Sequence, residues 1–75
     1  MQTQHYDKYK CLGLNIAYYR KSKNLSQSQL AELVKISRTH MSRIETADCA
    51  VSLDVVFEIS DVLSVSLDKL FDFRD

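Results

Sequence analysis

Residues 27–45 read QSQLAELVKISRTHMSRIE, and the punctuation of this stretch decides the fold. Ser26, Gln27, Ser28 and Gln29 have the form of a capping box. In that motif a serine hydroxyl meets the orphan amides of a helix start, and a glutamine three positions on reaches back. A helix is expected from there to about Val34, with Leu30, Leu33 and Val34 on one side. Ser37 is the cap of a further helix that reaches Glu45 or Thr46. With Arg38 at the origin of a helical wheel, Ser42 falls at about 40°, Thr39 at about 100° and Arg43 at about 140°. These four polar side chains therefore share one face, while Ile44, Ser37 and Met41 fall on the other side, toward a core. A helix so short and so thinly apolar is held only by its neighbours.

Those neighbours are legible outward in both directions. Leu12, Ile16, Tyr19 and Arg20 recur at helical spacing and predict a first helix from about Asp7 to Lys23. Asn24 can adopt the left-handed conformation that closes it. Downstream, Ser52 opens a fourth helix whose expected core stripe is Leu53, Val56, Ile59, Ser60 and Leu63. Ser66 opens a short fifth that carries Leu67, Leu70 and Phe71. Five helices, with no proline and a single glycine to punctuate sheet turns, give an all-α fold. Without repeats, a linker or a low-complexity segment, residues 1–75 read as one domain.

Net charge is zero, with ten basic residues against ten acidic ones, which taken alone argues against a nucleic-acid partner. The average conceals a division at Glu45. Lys8, Lys10, Arg20, Lys21, Lys23, Lys35, Arg38 and Arg43 face only Asp7, Glu32 and Glu45 in the first part, an excess of five positive charges. In the remainder, Asp48, Asp54, Glu58, Asp61, Asp68, Asp72 and Asp75 face only Lys69 and Arg74, an excess of five negative charges. Such asymmetry fits a basic working face on an acidic support, or two solvated helix surfaces.

Other classes find little support. No apolar run exceeds four residues, Ile16 to Tyr19, against the roughly 20 a membrane helix requires. The start of the chain lacks the apolar stretch of a secretory signal. Cys11 and Cys49 belong to no CxxC pair, and His5 and His40 have no metal-ligand spacing with them. A cytoplasmic protein with two reduced thiols is expected, with neither metal nor cofactor. No nucleophile–base arrangement or glycine-rich phosphate loop is visible, so an enzyme is the weakest reading.

The Arg38, Thr39, Ser42 and Arg43 face consists of residue types that read base edges. Arginine pairs with guanine O6 and N7, and threonine reaches a base or a thymine methyl. On the residues alone, base reading and a merely solvated face both remain open. The surrounding pattern bears on the choice. Residues 27–45, preceded by Leu25-Ser26, closely resemble the helix-turn-helix of the phage-repressor (Cro/C1-type, XRE-like) family. Ala31 is the small residue where two helices cross, and Leu30, Ile36, Met41 and Ile44 take the family's core places. The likeness extends from Leu12-Gly13 and Ile16 through Leu53 to Leu63, Val65, Ser66, Leu67 and Leu70, covering about residues 12–71.

The resemblance implies a five-helix repressor-like domain that lays its third helix in the major groove of double-stranded DNA. Matched residue by residue, it assigns base reading to Arg38, Thr39, Ser42 and Arg43. Gln27 and Ser37 match positions that touch the DNA backbone, with Lys35 and His40 as additional backbone candidates. Arg20 and Glu45 match a structural ion pair between the first helix and the end of the third. Two departures stand out: Lys35 occupies the turn position that is usually glycine, and Ala47 and Val51 stand where glycine and proline usually precede the fourth helix.

One recognition helix offers few base contacts, so a homodimer on a two-fold site is expected, joined through the C-terminal helices. Val55 and Val62, off the expected core stripe, and Phe73 are the candidate contacts. A small transcriptional regulator is thus the leading expectation: a free-standing repressor, a restriction–modification controller or an antitoxin-like autoregulator. The alternative is a protein-interaction module, or an antitoxin-like partner protein, that keeps the repressor fold. No small-molecule effector is indicated.

Overall fold

The computed structural model describes residues 2–73. They form α1 (Tyr6–Ser22), α2 (Gln27–Val34), α3 (Arg38–Glu45), α4 (Leu53–Leu63) and α5 (Leu67–Leu70). α2 to α5 start where serine punctuation predicts, whereas α1 follows His5 without a side-chain cap. The hydroxyls of Ser26, Ser37 and Ser52 accept hydrogen bonds from the backbone amides of Gln29, His40 and Val55. The Gln29 side chain completes the capping box by accepting from the Ser26 amide. At Ser66 the hydroxyl instead bonds the Asp68 carboxylate, which holds that carboxyl below the usual carboxylate range.

The helix ends are the more unusual feature. Asn24, Lys35, Ala47 and Ser64 all adopt positive φ, between 54° and 62°. After each, the backbone closes with the paired bonds of a Schellman motif. Leu25 and Asn24 donate to the Arg20 and Lys21 carbonyls, and Ile36 and Lys35 to those of Ala31 and Glu32. Asp48 and Ala47 donate to Arg43 and Ile44, and Val65 and Ser64 to Ser60 and Asp61. Four helix ends thus use a conformation that favours glycine, and none has one. The turn at Lys35 keeps its left-handed geometry despite the side chain.

The core is built from Leu12 and Ile16 of α1, Leu30, Ala31 and Val34 of α2, Met41 and Ile44 of α3, and Val56, Ile59 and Leu63 of α4, with Val65 and Leu70. α3 packs against both α1 and α2, α4 supports α2, and α5 closes against α1 and α4. The Asn15 amide fastens the last element by donating to the Leu70 and Asp72 carbonyls. Several expected core positions are not buried. Leu53, at the first helical position of α4, is 62% exposed, and Leu33, Leu67 and Phe71 are also exposed. Ser37, which the wheel placed toward the core, is exposed, because an N-cap residue lies outside the helical path.

The chain's glycine stands inside a helix. A methyl group on Gly13 would lie 2.5 Å from the Glu45 carbonyl oxygen and 2.7 Å from that of Ile44. The middle of α1 therefore touches the backbone at the end of α3 directly. This contact sets how far α3 projects from the body.

Candidate nucleic-acid interface

α2 and α3 are joined by the three-residue turn 35–37, so their orientation is fixed by one left-handed residue and one cap. Met41 and Ile44 anchor α3 from beneath. On its outer side Arg38, Thr39 and Arg43 are exposed, and Ser42 and His40 are half-buried. The four residues selected by the wheel therefore lie on one accessible face. Ser37 stands at its start, using its hydroxyl to cap α3, and Lys35 is exposed in the turn before it. Among the described residues Arg20–Glu45 is the one ion pair, so Lys35, Arg38 and Arg43 carry charges without a protein counter-ion. A surface of this kind presents donors and unneutralised cations, the chemistry that phosphates and guanine edges accept.

Behind this face lies a polar cluster that joins three helices. Arg20 Nε donates to Glu45 Oε2 at 2.8 Å and Arg20 Nη2 to Glu45 Oε1 at 3.1 Å, a bidentate pair. Both side chains are buried, 9% and 4% exposed. Arg20 Nη1 continues to the Leu25 carbonyl in the α1–α2 connection, at 2.8 Å. Gln27, the first residue of α2, donates its side-chain amide to Glu45 Oε1 at 3.0 Å. That last bond spans 18 positions and has no local spacing that would betray it in the sequence. Gly13 could have been singled out, since an isolated glycine inside a helical pattern usually has a packing reason.

Of the residues proposed for dimer contact, Val55, Val62 and Phe73 are half-buried against the core. The exposed apolar side chains nearby are Leu53, Phe57 and Phe71. Leu53, Val51, Phe71, Phe73 and Tyr9 line an open apolar groove of about 470 Å³ between the starts of α1 and α4 and the end of the chain. No group of three or more His, Cys, Asp or Glu side chains among the described residues is arranged to hold a metal ion. No helix among them is long and apolar enough to cross a membrane.

Comparison with known proteins matches this geometry. The family model described as helix-turn-helix, HTH_3, matches residues 16–70. The control protein C.SmaI of Serratia marcescens is 36% identical over 59 residues, which cover 79% of this chain and 70% of that protein. The restriction-modification controller protein C.AhdI from Aeromonas hydrophila superposes with a TM-score of 0.86 at 28% identity, over 92% of this chain and all of that one. The clp gene regulator ClgR from C. glutamicum shares the fold, with a TM-score of 0.82 at 22% identity over 85% of this chain and 82% of that one. With its capped turn, its exposed Arg38–Arg43 face and this family match, the chain belongs to the Cro/C1-type (XRE-like) helix-turn-helix family of DNA-binding regulators.

Proposed function

We propose that this protein is a small transcriptional regulator that binds a specific double-stranded DNA site as a homodimer, with α3 in the major groove. The observation that carries the reading is the α3 face itself, where two arginines without a counter-ion among the described residues flank Thr39 and Ser42. Arg38 and Arg43 read guanine edges, and Thr39 and Ser42 contact bases between them. Gln27, Ser37, Lys35 and His40 hold the phosphate backbone. The amides at the start of α2 and its dipole favour an anion beside Gln27.

The homodimer forms through the C-terminal helices, where Val55, Val62 and Phe73 border the exposed Leu53, Phe57 and Phe71. Such pairing presents two α3 helices to half-sites about one DNA turn apart. By its likeness to C.SmaI and C.AhdI, the regulated genes are those of a restriction–modification system.

Selection of bound duplexes from a random pool tests the reading. A two-fold sequence should emerge, with affinity falling steeply as salt rises. Arg43→Ala should then relax the preference at one base pair of each half-site, and Gln27→Ala should weaken all sequences more evenly. If neither substitution alters affinity for the selected duplex, this docking is wrong.

A further inference from the structure

We infer that Glu45 is a positioning residue for the DNA-backbone contact of Gln27, in addition to its place in the ion pair with Arg20. This rests on the phosphate role of Gln27 proposed above. A carboxylate offers only acceptors, so the edge of Gln27 that meets Glu45 Oε1 must be its NH₂ group. One amide hydrogen is thereby committed to Glu45. The second is the one left for a phosphate, since no other acceptor among the described residues takes it. A long side chain that would otherwise sample several rotamers is thus oriented before DNA arrives.

Arg20 makes this arrangement compatible with DNA. A bare carboxylate beside a phosphate would repel it, but both Glu45 oxygens accept from the Arg20 guanidinium. The guanidinium cancels the charge, and Glu45 keeps the geometry. The same Oε1 that takes Nη2 of Arg20 takes Nε2 of Gln27, so α1, α2 and α3 converge on one oxygen. A shift of α3 relative to α2 therefore displaces the phosphate contact together with the base-reading face.

Glu45→Gln leaves one acceptor oxygen where there were two, so Arg20 and Gln27 compete for it and the Gln27 amide loses its dedicated partner. Freeing the Gln27 side chain restores rotamer entropy that binding must then remove, and the expected effect is about a tenfold loss of affinity per half-site. The test is a double-mutant cycle on the selected duplex, read by fluorescence anisotropy at fixed salt, with Gln27→Ala, Glu45→Gln and the double variant. Circular dichroism fixes a temperature at which each variant is folded. The expected result is strong non-additivity: once Gln27 is alanine, Glu45→Gln costs little further affinity. Additive losses would show that Glu45 supports the fold alone and would overturn the inference.

If Glu45→Gln does not fold, the wild-type protein supplies the readout by NMR. The Gln27 side-chain amide proton bonded to Glu45 should exchange with solvent more slowly than its geminal partner and than the amide protons of exposed Gln29, in the absence of DNA. Equally fast solvent exchange of both Gln27 amide protons would likewise overturn the inference. Failure of the wild-type protein to bind any duplex would instead bring down the DNA-docking reading on which it rests, a result distinguishable from an additive cycle.

Discussion

Gly13→Ala sets two effects of opposite sign against each other. On helix propensity alone, alanine at an interior position of α1 should stabilise by about 1 kcal/mol over glycine. On packing, the added methyl would sit 2.5 Å from the Glu45 carbonyl oxygen and 2.7 Å from that of Ile44, where ordinary contact begins at 3.4 Å. Both neighbours are backbone atoms, so no flexible side chain can yield. α1 and the end of α3 must separate by close to 1 Å, or the α3 backbone must bend. Overpacking of this kind typically costs about 1–3 kcal/mol and occasionally more. Because the obstacle is backbone, the upper part of that range applies, leaving a net loss of about 2 kcal/mol after the propensity gain. For a domain of this size that lowers the melting temperature by about 8–16 °C. Thermal unfolding followed by circular dichroism measures it directly. A Gly13→Ala protein as stable as the wild type, or more so, would refute the close-approach argument. DNA affinity of the folded variant should fall as well, because Glu45 and Arg43 ride on the displaced end of α3.

Two other substitutions probe the same frame. Lys35→Gly removes a side chain from the left-handed region, where L-residues pay about 1–2 kcal/mol, against about 0.5–1 kcal/mol of added chain entropy in the unfolded state. It should raise the melting temperature by a few degrees while flattening the salt dependence of DNA binding by about one phosphate contact; a less stable variant would mean the turn gains more from the lysine than its φ costs. Arg20→Ala leaves Glu45 buried without its partner, a loss of about 3–5 kcal/mol and a large share of the stability of a small domain. An unchanged melting curve would show that water replaces the guanidinium without cost.

Elements governed by local chemistry were legible in the sequence. The serine caps and the helical spacing of Leu12, Ile16, Val56 and Ile59 are short-range signals, and the helices lie where those signals put them. Three-dimensional placement was less so. Leu53 has the right spacing for the α4 stripe, but it sits at the first turn, beyond the neighbours that bury Val56 and Ile59. The exposure of Leu33, Leu67 and Phe71 likewise depends on how far each adjacent helix extends. At the site, the face from Arg38 to Arg43 follows from the period of a single helix. The Gln27–Glu45 bond does not, because it requires the angle between α2 and α3, which depends on the left-handed Lys35 and the Ser37 cap in the turn between them.

The charge division carries a further consequence for assembly. Lys21, Lys23, Lys35, Arg38 and Arg43 belong to α1–α3 and the turns that join them, whereas Asp54, Glu58, Asp61 and Asp68 belong to α4 and α5. Non-specific DNA affinity depends on how many phosphates are neutralised locally, so a zero net charge does not weaken the working face. It does orient the molecule, since the acidic end is repelled by the backbone. If two copies join through their C-terminal helices, two acidic ends are brought together, and their repulsion must be outweighed by apolar contact around Leu53, Phe57 and Phe71. Salt then acts in opposite directions on the two equilibria. Raising it from 0.05 to 0.5 M shortens the screening length from more than 10 Å to a few ångströms, which relieves the acidic repulsion and strengthens the apolar association. The same change releases the phosphate contacts. Sedimentation of the free protein at both concentrations should therefore show a tighter dimer at high salt, while duplex affinity falls by orders of magnitude. A dimer that dissociates as salt rises would mean that opposite charges meet across the interface, and would move the contact away from the acidic helices.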